Sequence, residues 1–552
     1  MDYNKLADLL FPSIPSREEI ESKYPKRNLE EGQAVTRFAP SPTGFVHIGN
    51  FMSCLIDYIV AKNNNGIFYL RNEDTDKARE IDTAVEKIME VLSHYEMLPD
   101  EYQYKNEVHG NYGPYIQSER KEIYLAFIKD LIKKGLAYPC FCTKDELNET
   151  REIQEINKER IGYFGSYAKC RDLTNEQIEE NIKNNIPFVI TFKSMGDYNK
   201  RFIFDDLVKG EIEFPENDQD TIIMKSDNFL PTYHFAHAVD DYLMGTTHVV
   251  RGEEWLSSVP LHVELFASLG AKPPKYIHNP LIMKKDGDKV RKISKRKDPE
   301  ASMSFYEEKG YPIYSVIEAL MTIINSNYEE WHTENPDKSY LDFKFDPKKM
   351  SSSGAFFDLE KLNNISKEYF SRLTAEEVYD GLVKYTEKYD TEFYEIITKY
   401  KDYTISMLNI ERNVEKPRKD IACYSDIKKL FWYMFDEYFF IEENPYKNIE
   451  ENYKLDGIKE YFEECYNREN TEEEWFNNLK VFAENYKYTA NRKEYKANPE
   501  NYNGTVAKFC EIIRVIITTS NMSPNLYDLL QLISYERLKK RIDLFVNYLQ
   551  SK

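Results

Sequence analysis

Along the chain, apolar residues first gather at Ala34-Val-Thr-Arg-Phe-Ala39, and Pro40-Ser-Pro-Thr-Gly44 stops them with turn chemistry. That run predicts a short buried strand. From Gly49 to Lys62, Met52, Leu55, Ile56, Ile59 and Val60 recur at helical spacing, and Asn63-Asn-Asn-Gly66 ends the helix. Ile67-Phe-Tyr-Leu70 predicts a second strand, with Arg71-Asn-Glu-Asp-Thr-Asp76 directly after it. Strand, helix, strand at this spacing is a βαβ unit and implies a parallel sheet. Residues 1–33 are polar and charged and predict a helical or loose extension. Residues 137–225 form a separate patch, with strands expected at Phe188–Phe192 and Thr221–Met224, and the α/β pattern resumes at Tyr233–Trp255.

After about residue 300 the strand signals fade. Helices are expected at Thr471–Tyr488, opened by a Thr471/Glu474 capping box, and at Val506–Thr518 and Pro524–Ser534. Leu538, Ile542, Phe545 and Leu549 then share one face of a last helix, so residues 371–552 read as mostly helical. No fixed-period repeat is visible, which argues against a solenoid.

Composition narrows the class. The 552 residues are enough for several domains, and 41% hydrophobic content with 43 Tyr and 32 Phe excludes wholesale disorder. No apolar run approaches the ~20 residues that span a bilayer, so no membrane partner is expected. The start, Met1-Asp-Tyr-Asn-Lys-Leu, lacks the pattern of a secretory signal. Seven cysteines, an odd number spread thinly, form no disulfide framework, and a reducing cytoplasm fits them best. The net charge of −21 argues against a nucleic-acid partner for the average surface, though a local basic patch would overturn that.

Two segments point to a nucleotide. At the end of the first strand, His47-Ile-Gly49-Asn50 opens a helix whose free N–H groups suit phosphate. Gly49 would admit a nucleotide close to the backbone, and His47 could donate to a phosphate oxygen. In isolation the same residues read as a Pro-Gly turn with a surface histidine. Far away, Lys284–Lys297 holds eight basic and two acidic residues and almost no apolar anchor, which predicts a mobile surface loop. It reads either as a solvated charge run or as a loop that closes its lysines onto a triphosphate.

Together the two segments resemble the H-I-G-H and K-M-S-K-S signatures of class I aminoacyl-tRNA synthetases. Further blocks, Arg37-Phe-Ala-Pro-Ser-Pro-Thr-Gly44, Arg71–Asp76, Val239-Asp-Asp-Tyr-Leu-Met-Gly245, Thr247–Trp255, Lys292-Ile-Ser-Lys-Arg296, Phe357–Leu362 and Ser523–Leu538, resemble bacterial glutamyl-tRNA synthetases in order. The resemblance covers residues 34–552 and implies an α/β fold: a Rossmann-like parallel sheet with an acceptor-stem insertion, then an all-α anticodon-binding region. It implies an N-terminal extension at 1–33, which the bacterial family usually lacks. Catalytic halves follow at 34–115 and 226–300 around an acceptor-binding insertion at 116–225. A stem-contact region at 301–370 and an anticodon-binding domain at 371–552 complete the chain.

The implied activity is a glutamate–tRNA ligase acting on ATP with Mg²⁺, L-glutamate and tRNA(Glu), as a cytoplasmic monomer. Charging of tRNA(Gln) stays open, as do a glutaminyl enzyme and a non-catalytic tRNA-binding paralogue. By resemblance, His47, Gly49, Lys292 and Lys295 are catalytic, and Asn50, Glu254, Ile282 and Ser294 join them around ATP. Arg37, Ala39, Ser41, Glu73, Tyr233, His237 and Arg251 would hold glutamate, with both arginines suited to its side-chain carboxylate and Glu73 to its ammonium. Arg251 is the position expected to favour glutamate over glutamine, since the glutaminyl relatives are typically uncharged there. Two departures stand out: Asn50 replaces the last His of the first signature, and His237 stands where many glutamyl enzymes carry Asn. Cys140, Cys142, Tyr167 and Cys170 resemble a zinc site of some glutamyl enzymes, and read equally well as buried apolar cysteines. Cys54, Cys423, Cys465 and Cys510 lie in helical patterns and are expected in the core.

Overall fold

The computed structural model describes residues 2–42, 44–76, 83–352, 354–441, 444–447, 449 and 453–551. Thr43, in the first of the resembling blocks, lies outside them. The chain forms two compact units, Met1–Tyr306 with Ile317–Asp358, and Glu307–Val316 with Leu359–Lys552.

In the first unit the βαβ unit forms as expected. Strand β1 (Val35–Phe38) is buried throughout, helix α1 (Ile48–Asn63) crosses over, and β2 (Ile67–Leu70) pairs parallel with β1, Val35 opposite Ile67. Burial on both faces is what a parallel strand under a crossover helix requires. The return is tight: a side chain at Gly66 would meet the Ala34 carbonyl at 1.9 Å, so only glycine fits between α1 and β2. A second parallel pair follows, built from α2 (Tyr233–Leu243), β3 (His248–Gly252), α3 (Val259–Ser268) and β4 (Lys275–Asn279). Thr247 joins the two pairs, its amide donating to the Val35 carbonyl at 2.9 Å and its hydroxyl accepting from the Val35 amide at 2.7 Å.

Between these pairs lies an antiparallel sheet of Ala137–Cys140, Val189–Phe192 and Thr221–Met224, beside a hairpin of Arg201–Asp206 and Gly210–Pro215. Capping boxes at Thr143/Glu146 and Thr174/Gln177 start its two helices.

Of the two forms expected for residues 1–33, the structure takes the helical one. Helices Tyr3–Leu10 and Arg17–Glu21 and the residues beside them bury Leu6, Ala7, Phe11 and Ile20 in the same core as Ile123–Ile132, and Arg27 grips Glu101 through both terminal nitrogens at 2.8 and 2.6 Å. Two other expectations need correction. The basic segment is not a bare loop. It forms an antiparallel hairpin of β5 (Ile282–Asp286) and β6 (Lys289–Lys292), anchored by buried Ile282 and Ile293. Its charges are compensated from just beyond the counted run: Asp298 takes Arg291 at 2.6 and 2.8 Å and Lys284 at 3.4 Å, and Glu300 also pairs with Lys284. Lastly, Cys423 lies ahead of its helix, capping Tyr424–Phe431, and Cys465 and Cys510 are only half-buried.

The second unit is helical. Glu472–Asn485 carries the expected Thr471/Glu474 box, Val506–Thr518 has the expected bounds, and Leu538, Ile542 and Phe545 of Tyr535–Ser551 are buried. Among the described residues, no helix is long and apolar enough to cross a membrane.

Candidate active site

The amino terminus of α1 is built around His47. Its Nδ1 accepts the Gly49 amide at 3.0 Å, so the neutral ring carries its proton on Nε2, free to donate outward. A side chain at Gly49 would sit 3.2 Å from that Nδ1, which makes glycine the residue that lets the imidazole fold back. Burial, then the positive charges of Lys295 and Lys292, push the His47 pKa down to about 4. Two lysines, Lys292 at the end of β6 and Lys295 just beyond it, thus act on a histidine some 250 positions earlier in the chain. Lys295 lies with its ammonium 4.6 Å from the centre of the Phe45 ring, and partial desolvation lowers its pKa. The Ser294 amide is pinned to Asp298 at 2.8 Å, and the Ile293 amide donates to the Ile282 carbonyl at 3.0 Å.

Beside this end opens a cavity of about 540 Å³, at the carboxyl ends of β1 and β3, where open parallel sheets bind ligands. Arg37, Ala39, Ser41, Asn50, Glu73, Tyr233, Arg251 and Glu254 line it. Arg37 is only 4% exposed; its Nη1 donates to the Val250 carbonyl at 3.1 Å and its Nε lies 3.5 Å from Asp241. Glu73 accepts Arg71 at 2.9 Å, and burial outweighs the arginines to raise its pKa. Arg71 is balanced again by Asp241 at 2.6 Å. Arg251, 5% exposed, differs: its Nε donates to His278 at 2.9 Å and its Nη1 to His262 at 3.0 Å, while Nη2 has no hydrogen-bond partner among the described residues. Tyr233 covers this wall, its ring 4.3 Å from that of Trp255.

Not every expected residue reaches the cavity. Ile282, Ser294, Lys292 and Lys295 sit at the hairpin and not in its lining. His237 is fully buried behind Tyr233, with the two rings parallel and 6.1 Å apart. It is held by Tyr276 at 2.9 Å and Asp241 at 2.7 Å, and burial lowers its pKa to about 4. His237 therefore lies behind the cavity wall and not in its lining, where a direct substrate contact had been expected. Other lining residues escaped the sequence reading: Gln117, Lys225, Trp255 and Asp57. Asp57 is fully buried and its pKa is raised well above the carboxylate range by desolvation. A carboxyl inside the apolar stretch Leu55–Val60 was a visible signal, because an uncompensated charge is rarely placed there.

The cysteine cluster forms, with one substitution. The sulfurs of Cys140, Cys142 and Cys170 lie within 4.8 Å of one another. Hydrogen bonds from Cys140 and Cys142 make Cys170 the favoured thiolate of the three. The tyrosine among them is Tyr163, whose hydroxyl lies 3.3 Å from Cys140 and 3.4 Å from Cys142. The hydroxyl of Tyr167 bonds to Glu159 instead, on the exposed side of a single 3₁₀ turn, so it is not the fourth group.

A family model described as "tRNA synthetases class I (E and Q), catalytic domain" matches residues 33–364. The chain is 45% identical over 554 residues to a glutamate–tRNA ligase of Clostridium beijerinckii, covering 99% of this chain and 100% of that relative. It is 46% identical over 547 residues to one of Clostridium perfringens, covering 98% and 100%. Among solved structures, a glutamate tRNA ligase from Elizabethkingia meningosepticum in complex with its amino acid matches with a TM-score of 0.72 at 25% identity, covering 94% of this chain and all of that one. With its parallel sheets, its helical second unit and these similarities along nearly its whole length, the chain belongs to the glutamate–tRNA ligase family of class I aminoacyl-tRNA synthetases.

Proposed function

We infer that this chain activates L-glutamate with ATP to glutamyl-adenylate and transfers the glutamyl group to the 3′-terminal adenosine of tRNA(Glu), releasing AMP and pyrophosphate. The observation that carries this reading is the pairing of a triphosphate-type end, His47 with Lys295, and a cavity that offers Arg251 and Glu73 together.

The α-carboxylate of glutamate is already ionised at neutral pH, so its attack on the α-phosphorus needs no strong base. It needs positioning and neutralisation of the charge spreading over the phosphates. His47, neutral at pH 7, donates from Nε2 to a phosphate oxygen, and Lys295 and Lys292 supply positive charge to the leaving pyrophosphate. Gly49 and Asn50 bring the α1 amides to the nucleotide, and Glu254, Ile282 and Ser294 face its ribose and base. Mg²⁺ accompanies ATP.

Arg251 and Arg37 bind the side-chain carboxylate, Glu73 the ammonium, and Ala39, Ser41 and Tyr233 shape the remainder. Glutamine in place of glutamate would leave the Arg251 charge buried and unpaired, a penalty of roughly 10²–10³-fold. That favours a glutamate enzyme over a glutaminyl one. The three thiols fit a structural zinc ion, with Cys140, Cys142 and Cys170 as ligands and the Tyr163 hydroxyl beside them; the ion would staple the insertion. The insertion at 116–225 is assigned to the acceptor stem, 301–370 to stem contacts and 371–552 to the anticodon, in a monomeric cytoplasmic enzyme.

The test is aminoacylation of purified tRNA(Glu) and tRNA(Gln) with each amino acid. Glutamyl-tRNA(Glu) is expected. Charging with glutamine, or no adenylate from glutamate with tRNA present, would refute the assignment. Glutamyl-tRNA(Gln) formation would add a second acceptor.

A further inference from the structure

We propose that His262 and His278 are positioning residues that hold Arg251 with uncharged acceptors, so that its whole positive charge is kept for the substrate's side-chain carboxylate. This rests on the assignment of Arg251 to that carboxylate.

Every other arginine at this wall is balanced by acid. Arg37 lies against Asp241, and Arg71 is shared between Asp241 and Glu73. Arg251, equally buried, is held by two imidazole nitrogens and lies over the Tyr276 ring at 4.5 Å. A guanidinium only donates, so both imidazoles must accept, and each must be neutral.

The rest of the network fixes those tautomers. His278 accepts from Arg251 at Nε2, so its proton lies on Nδ1, which meets Asp206 at 2.6 Å. The other oxygen of Asp206 takes the amides of Val208 and Lys209 at 3.0 and 2.9 Å, which holds the carboxylate still. His262 accepts at Nδ1, so its Nε2–H points to Nδ1 of His234, 2.8 Å away. Desolvation disfavours the charged form at His262, His278 and His234 alike. A carboxylate in either place would make a stronger bond to Arg251 and cancel the charge that selects glutamate. Asp206 acts one residue removed: it orients His278 without reaching the guanidinium. It comes from the hairpin of the insertion, so the selecting arginine is set partly by an element outside the parallel sheet.

The test compares acceptors of different charge in the full-length protein. KM for glutamate and for ATP, and the preference for glutamate over glutamine, are measured by pyrophosphate exchange with tRNA present. His262→Gln, a neutral acceptor, is expected to keep the glutamate KM within about threefold, whereas His262→Glu lowers the glutamate preference by at least about tenfold at unchanged ATP KM. Equal losses in the two variants, or an unchanged preference in His262→Glu, would overturn the proposal. Should His262→Glu fail to fold, Asp206→Ala gives a second reading. It should raise the glutamate KM several-fold with the ATP KM unaffected. Parallel changes in both KM values would count against positioning. Arg251→Ala separates the two levels: no rise in glutamate KM defeats the assignment of Arg251 itself, while a large rise with indistinguishable His262 variants defeats only the role of the imidazoles.

Discussion

On the assignment proposed above, the two ends of the site solve the same problem, binding an anion, by opposite means. The triphosphate end uses cations on an exposed hairpin, Lys292 and Lys295, brought beside a histidine at a helix terminus. Lys292 is exposed and Lys295 only partly desolvated, so keeping their charges costs the fold little. The amino-acid end uses arginines that are almost wholly buried, and each must be stabilised by what surrounds it. The exposed end can thus vary without endangering the fold, whereas the buried end is part of the core.

The largest effect that would break this contrast is at Lys295. Lys295→Ala is expected to lower adenylate formation by about 10³-fold while leaving tRNA affinity and urea midpoint nearly unchanged. Loss of tRNA binding with normal adenylation would contradict it. At the buried end, Arg37→Ala is expected to lose glutamate binding and also about 3–5 kcal/mol of stability, because the ionised Asp241 loses a balancing charge. Arg251→Ala orphans no carboxylate, so denaturant titration should show a clearly smaller loss for it than for Arg37→Ala. Equal losses would erase the distinction between the two arginines.

A smaller effect sharpens the nucleotide side. Gly49→Ala pushes a methyl group to 3.2 Å from His47 Nδ1 and should raise the ATP KM by about tenfold with little change for glutamate.

A last effect is in pH, on stability alone. His237 titrates at about 4 in the folded chain and near 6.5 when unfolded, so the unfolded state binds more protons between those values. Stability therefore falls as pH drops from about 6.5 to about 4, and is unaffected by this group above that window. His237→Asn should flatten that limb of a stability–pH curve; an unchanged slope would show that the group titrates normally.

How much was legible follows the same division. The βαβ unit, the later helices and their caps are local patterns, and Val35–Phe38, Ile48–Asn63 and Val506–Thr518 emerged within a residue or two of expectation. The motif residues assigned to the nucleotide end stand in short runs, and the structure does bring the charges of Lys292 and Lys295 to bear on His47. The hairpin was misread as a mobile loop because its counter-charges, Asp298 and Glu300, begin one residue beyond the basic run. Tyr167 was expected from the resemblance and Tyr163 was not considered, because a pattern read along the chain ignores which way a turn points a phenol.

The chain by itself determined which groups were available: two arginines, an acidic residue after a buried strand, a histidine with its glycine, and a cluster of lysines. Folding decided which of those charges would be spent on one another. Arg37 and Arg71 meet carboxylates from α2 and β2's continuation, and Arg251 donates to two imidazoles, from α3 and β4. The physical reason is that the field at a buried guanidinium depends on every charge within a few ångströms, and those neighbours come from strands and helices far apart in sequence.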